Sequence, residues 1–231
     1  MKLLVTLLLY FYCGAAFTQP RYNARLLDSL AFIAHTQTPA KHFATLYYQA
    51  IEITNRYADK QPDSVKNFIF GFEALFAPVF SNSYKNYINK TPQVFYWQQY
   101  YADTNLNDLQ YKFIGMAAHI NGDMAVALAG RYGYDTLKKY RRPLIRFQKA
   151  LNTFFDSIYI TSRRYKKLNR LHFITLGLDK AIGKAMVLHW RKKQVRLALL
   201  YYTNPPKYAA KRRRLEKKML RLRKFAIEWI K

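Results

Sequence analysis

Residues 106–130 read LNDLQYKFIGMAAHINGDMAVALAG, and this stretch decides the fold. It contains no proline, and small side chains dominate it: Gly115, Ala117, Ala118, Gly122, Ala125, Ala127 and Ala129. A helix that is apolar nearly all round is a buried helix, and small side chains let its neighbours approach closely. The pattern predicts an all-α single domain of about seven helices packed around a central helix over 106–130. Three polar residues interrupt the apolar run. His119 and Asp123 are four apart and share one face; Gly115 lies a turn earlier on that face and leaves space there, while Asn121 points elsewhere. A buried polar group without a partner costs about 1–3 kcal/mol, so the question is what pairs with His119 and Asp123.

The rest of the chain reads as helices that would surround it. Glycine and proline number only 8 each in 231 residues and act as punctuation. A first helix is expected over 22–35. Thr38-Pro39 looks like an N-cap followed by proline at the first helical position. It opens a second helix with Phe43, Leu46, Tyr47, Ala50, Ile51, Thr54 and Tyr57 as its apolar stripe. A third should run from Pro62 to a stop at Pro78. Thr91-Pro92 opens an aromatic stretch over 93–101, which lacks a strand partner and is expected to be helical. Beyond the central helix, 134–167 should be helical with a kink or interruption at Pro143, followed by helices over 179–202 and 207–230. No internal repeat or low-complexity linker divides the chain, and the last helix reads as an appendage to the domain.

The N-terminus has the grammar of an export signal: Lys2, an apolar run over 3–12, then small residues at Gly14, Ala15, Ala16 and Thr18. Cleavage is expected after Thr18, with an uncleaved anchor as the alternative. Cys13 is the sole cysteine, and Tyr12 stands before it where a lipoprotein signal needs a small residue. The chain after residue 18 therefore offers no disulfide, thiolate ligand or cysteine nucleophile. No later segment reads as a membrane span.

Charge is the second signal. The chain holds 39 Lys+Arg against 13 Asp+Glu, a net +26. Residues 1–130 contribute 10 and 8, whereas 131–231 contribute 29 and 5. A surplus of 24 over 101 residues exceeds what solubility requires and points to a polyanionic partner. It peaks at the C-terminus, where Leu215, Met219, Leu222, Ala226 and Trp229 form an apolar stripe among Lys211, Arg212, Arg213, Arg214, Lys217, Lys218, Arg221, Arg223 and Lys224. Such a helix either docks its stripe on the domain or lies on an anionic surface. For an exported protein that surface is anionic lipid or envelope polymer; nucleic acid is the least favoured partner, since no recognition motif is present.

The segment Gly115-Met116-Ala117-Ala118-His119-Ile120-Asn121-Gly122-Asp123-Met124 resembles the hallmark of a family of uncharacterised bacterial helical proteins built around an AHIN-x-D-[LM] helix. Phe43-Ala44-Thr45-Leu46-Tyr47 is similar to that family's early F-x-x-[LM]-Y segment, and Trp190 to Leu199 to a late helix. The resemblance covers about 40–200 and implies an all-helical fold of uncharacterised function. A local similarity concerns chemistry: His119-Ile120-Asn121-Gly122-Asp123 resembles the H-x-x-G-D helix of zinc-dependent phospholipases C and single-strand nucleases, in which His and Asp ligate zinc. Those enzymes need further histidines. Here the five are His35, His42, His119, His172 and His189, so a single divalent metal would have to be completed by His172 or His189.

Three readings of His119 and Asp123 thus stand side by side: a structural hydrogen-bonded pair, an acid–base pair, and two ligands of a metal such as zinc. No G-x-S-x-G, P-loop, H-E-x-x-H or Rossmann glycine pattern accompanies them. Two functions follow. One is an exported envelope protein, not necessarily catalytic, held at an anionic surface. The alternative is a metal-dependent hydrolase of lipid or phosphoester substrates using His119 and Asp123.

Overall fold

The computed structural model describes residues 23–176 and 178–230, and the expected signal over 1–18 lies outside them. The chain is all-α, with no strand among the described residues. Its early helices are α1 (Ala24–Ala34), α2 (Ala40–Ala58), α3 (Asp63–Ile88) and α4 (Phe95–Tyr101). The centre is α5 (Asp108–Ala118), a π-helical turn (His119–Asp123) and α6 (Met124–Arg131). Then follow α7 (Tyr134–Leu151), α8 (Phe154–Ser162), α9 (Lys166–Thr175), α10 (Leu178–Thr203) and α11 (Pro205–Trp229).

The central segment is buried as its composition demands. Ile114, Gly115, Ala117, Ala118 and every residue from His119 to Ala125 are buried, with α2, α3, α4, α10 and α11 packed around it. Its start is fixed by a capping box: Asn107 accepts from the Gln110 amide at 2.9 Å while the Gln110 side chain accepts from the Asn107 amide at 2.8 Å. Close approach is literal. A β-carbon added at Gly115 would stand 2.6 Å from the Phe43 ring, and one at Gly122 would stand 2.6 Å from the Tyr96 ring.

Three boundaries differ from the sequence reading. The third helix does not stop at Pro78 but continues to Ile88. Proline in a helix interior costs about 3 kcal/mol; here Pro78 faces solvent while Phe76, Ala77 and Phe80 are buried around it, and that burial outweighs the cost. The expected helix over 134–167 carries Pro143 within α7 but breaks at Asn152-Thr153 and again between Ser162 and Lys166. The central helix is interrupted by the π turn, which periodicity cannot reveal.

The C-terminal helix α11 is docked on the domain through Leu215, Met219 and Ala226, all buried, and the chain end is tied to α5. Asn107 Nδ2 donates to the Ile230 carbonyl at 2.7 Å, and Gln110 Nε2 to the Ala226 carbonyl at 3.2 Å. Three residues of its apolar stripe are therefore part of the core, while Leu222 is half-buried and Trp229 exposed, and removing α11 would open that core. No helix among the described residues is long and apolar enough to cross a membrane.

Candidate functional site

The π turn places His119 and Asp123 in contact. His119 Nδ1 lies 3.0 Å from Asp123 Oδ2, and Trp97 Nε1 donates to the same oxygen at 3.0 Å. His119, Asp123 and Trp97 are all buried. Because the carboxylate oxygen faces both nitrogens, Asp123 fixes the His119 tautomer with its proton on Nδ1. Phe76 stacks on the imidazole at 3.6 Å between ring centroids, and Tyr47 meets its edge at 4.6 Å. Burial pushes the Asp123 carboxyl up and the His119 imidazole down, each toward its neutral form, and the hydrogen bond between them opposes both shifts. Asn121 turns back on its own helix, donating from Nδ2 to the Ala117 carbonyl at 3.1 Å.

A second buried polar group lies beside it. The Tyr47 hydroxyl donates to Glu73 Oε2 at 3.0 Å, and burial pushes the Glu73 carboxyl up to about 7. Arg191, buried on α10, offsets part of that cost electrostatically and lies over the Phe147 ring. None of Glu73, Arg191 or Trp97 carries a motif. The only trace in the sequence is a lone acid inside the apolar run Phe68–Phe76, a pattern too common to single out.

His119 and Asp123 spend one atom each on the other, and only His119 Nε2 is left without a partner. Asp123 Oδ2 is already engaged by two donors, and His119 Nδ1 is spent on Asp123. His172 sits against Tyr159 and Asp179, and His189 is exposed on α10; neither belongs to the shell around His119. Among the described residues no group of three or more His, Cys, Asp or Glu side chains could hold a metal ion.

The nine cations singled out on α11 divide into three engaged with the domain, five exposed and one at a cleft. Arg212 turns inward: its Nη1 donates to the Gly122 carbonyl at 2.6 Å and the Asn121 carbonyl at 3.3 Å, and its guanidinium lies 5.2 Å from the Tyr96 ring centroid. It braces the π turn. Arg223 pairs with Asp103, and Lys218 lies over Trp190. Arg213, Arg214, Lys217, Arg221 and Lys224 are exposed, the last within 3.7 Å of Glu228. Lys211 borders a cleft of about 440 Å³ with His189, Lys192, Lys193 and Arg196.

Two basic regions elsewhere were not singled out in the sequence. An open groove of about 830 Å³ between α7 and α10 is lined by Lys138, Lys139, Arg141, Arg142, Arg146, Lys149, Lys192 and Arg196, all exposed, with no carboxylate among its lining residues. The second spans the end of α8, α9 and the start of α10. There Ile160, Leu171, Phe173, Ile174, Leu176, Leu178 and Ile182 are exposed, Phe173 by 81% and Leu176 by 90%. Arg163, Arg164, Lys166, Lys167 and Arg170 are exposed among them. No acid occurs between Asp156 and Asp179, and Asp179 is engaged by Tyr159 and Thr175. The signal in the sequence is LHFITLGL over 171–178, seven apolar or small residues in eight beside a cationic run.

No curated protein and no solved structure matches the chain. Over residues 24–228, which take in the π turn, both basic regions and α11, the chain belongs to a family of unknown function, DUF5995.

Proposed function

We propose that this is an exported protein that binds anionic lipid surfaces, docking through the α8–α9–α10 region with no chemistry of its own at the surface. The observation that carries the reading is the row of exposed apolar side chains at Phe173, Ile174, Leu176 and Leu178 set among Arg163, Arg164, Lys166 and Arg170. Exposed apolar groups of this size mark an interaction surface. A bilayer interface supplies both an apolar layer for them and anionic headgroups for the cations. An envelope polysaccharide or nucleic acid would satisfy only the charges. The basic groove between α7 and α10 and the outer face of α11 add long-range attraction to the same kind of surface.

The experiment is co-sedimentation with vesicles of phosphatidylcholine, with and without phosphatidylglycerol. Each surface cation near an anionic bilayer contributes about 1 kcal/mol. Replacing Arg163, Arg164, Lys166 and Arg170 with serine should therefore weaken binding by up to about a thousandfold at low salt, and less as salt screens the charges. Phe173→Ser should weaken it about ten- to a hundredfold at every salt concentration, since burying a phenylalanine contributes about 1.5–3 kcal/mol. Equal binding to neutral and anionic vesicles, or variants that bind like the wild type, would refute the reading.

A further inference from the structure

An apolar groove of about 290 Å³ runs between α5, α8, α9 and α10, with Phe113, Ile158, Leu168, Ile182, Met186 and Phe225 among its lining residues. Behind it lies a smaller pocket of about 60 Å³ lined by Tyr47, His119, Gln148 and Arg191 together with apolar side chains. The two share Met116 and Phe155 as a common wall. The groove is of a size that holds part of a small ligand, and the pocket has room for a carboxyl group or a few waters.

The inner pocket collects polar atoms that the fold leaves unpaired. Arg191 Nε and Nη1, His119 Nε2 and Gln148 Oε1 are buried without a hydrogen-bond partner, on side chains that are each more than nine-tenths buried. Native structures seldom leave such atoms unsatisfied, and three such side chains from three elements lining one pocket describe a ligand. We propose that the protein binds a single-chain fatty acid, with its hydrocarbon in the groove and its carboxyl group between Arg191 and His119.

The chemistry is complementary atom by atom. Arg191 donates to a carboxylate oxygen. His119 Nε2 and the carboxyl share one proton, and the hydrogen bond forms whichever atom holds it. Asp123, fixing Nδ1, aims that lone pair. A phosphate fits less well: the pocket is small and holds one cation. Met116 is unbranched and flexible, so it can turn aside and let the head group pass. The groove shares Leu171 and Ile182 with the exposed apolar row, but the inner pocket lies behind the groove wall, and the surface cations of α8 and α9 take no part in it.

Isothermal titration of the delipidated protein with monomeric dodecanoate and dodecanol tests it. Dodecanoate should bind at least tenfold more tightly than dodecanol, and Arg191→Met should erase that preference. Met186→Trp, which narrows the groove and leaves every polar atom in place, should weaken dodecanoate at least tenfold. The fourfold serine variant of Arg163, Arg164, Lys166 and Arg170 should bind dodecanoate as the wild type does, even where it fails on vesicles. Dodecanol binding as tightly as dodecanoate would overturn the carboxyl assignment, and Met186→Trp binding at full affinity would overturn the placement of the chain.

Discussion

Replacing Asp123 with alanine should cost far more than its surface area suggests. Its Oδ2 is the acceptor for two buried donors, His119 Nδ1 and Trp97 Nε1, each at 3.0 Å. Alanine orphans both, at about 1–3 kcal/mol each, while removing a carboxyl whose burial already raises its own cost of ionisation. The net loss should be about 2–4 kcal/mol, a large part of the 5–15 kcal/mol typical of a domain. Asp123→Asn retains one acceptor oxygen and should lose about half as much. Urea denaturation followed by circular dichroism reads both. A double-mutant cycle isolates the mechanism: in a Trp97→Phe background one of the donors is already gone, so Asp123→Ala should cost about 1–3 kcal/mol less than in the wild type. A loss below about 1 kcal/mol, or strict additivity with Trp97→Phe, would show that Asp123 does not hold these donors.

Other consequences are as specific. Gly122→Ala should lower stability by about 1–3 kcal/mol, because its new methyl group meets Tyr96 at 2.6 Å; Gly130→Ala, which meets nothing within 4 Å, should be neutral or stabilising by thermal melt. Arg212→Ala strips a charged donor from two carbonyls of the π turn and should cost about 1.5–3 kcal/mol, whereas Arg213→Ala, exposed on the same helix, should stay within about 0.5 kcal/mol. Glu73 gives a pH signature. Its folded carboxyl titrates near 7 against an ordinary 4.5, so between those values the folded state holds the proton more firmly than the unfolded chain. Stability contributed by the protonated form is then present below about pH 4.5 and lost as pH rises through 7, by about 3 kcal/mol. Denaturation midpoints of Glu73→Gln measured at pH 5 and pH 8 should lack this component of the decline.

The all-α architecture was legible because helical periodicity and scarce glycine and proline are local signals, and the buried centre announced itself through seven small side chains. The pairing of His119 with Asp123 followed from i, i+4 spacing alone. What the sequence hid is non-local. Trp97 reaches Asp123 from 26 residues away, and Arg212 caps the π turn from 90. No window of residues holds either contact. Pro78 misled because its local cost is real but smaller than the burial of the phenylalanines around it. The cationic helix α11 was conspicuous for its composition, yet Leu215, Met219 and Ala226 of its apolar stripe are spent on the core. The exposed apolar row on α9 was inconspicuous because residues 168–178 fall between the helices expected over 134–167 and 179–202, and a short apolar run carries no local sign of which side faces solvent.

The most direct measurement of the central claim is the depth of α9 at a bilayer. Phe173→Trp in a Trp229→Phe background leaves Trp97 and Trp190 buried in the core and puts one new indole on the exposed row. With vesicles containing phosphatidylglycerol, its emission should shift to the blue and be quenched by lipids brominated along their acyl chains, and neither change should occur with neutral vesicles. Emission that stays water-like and unquenched while the protein sediments with anionic vesicles would contradict docking through this region.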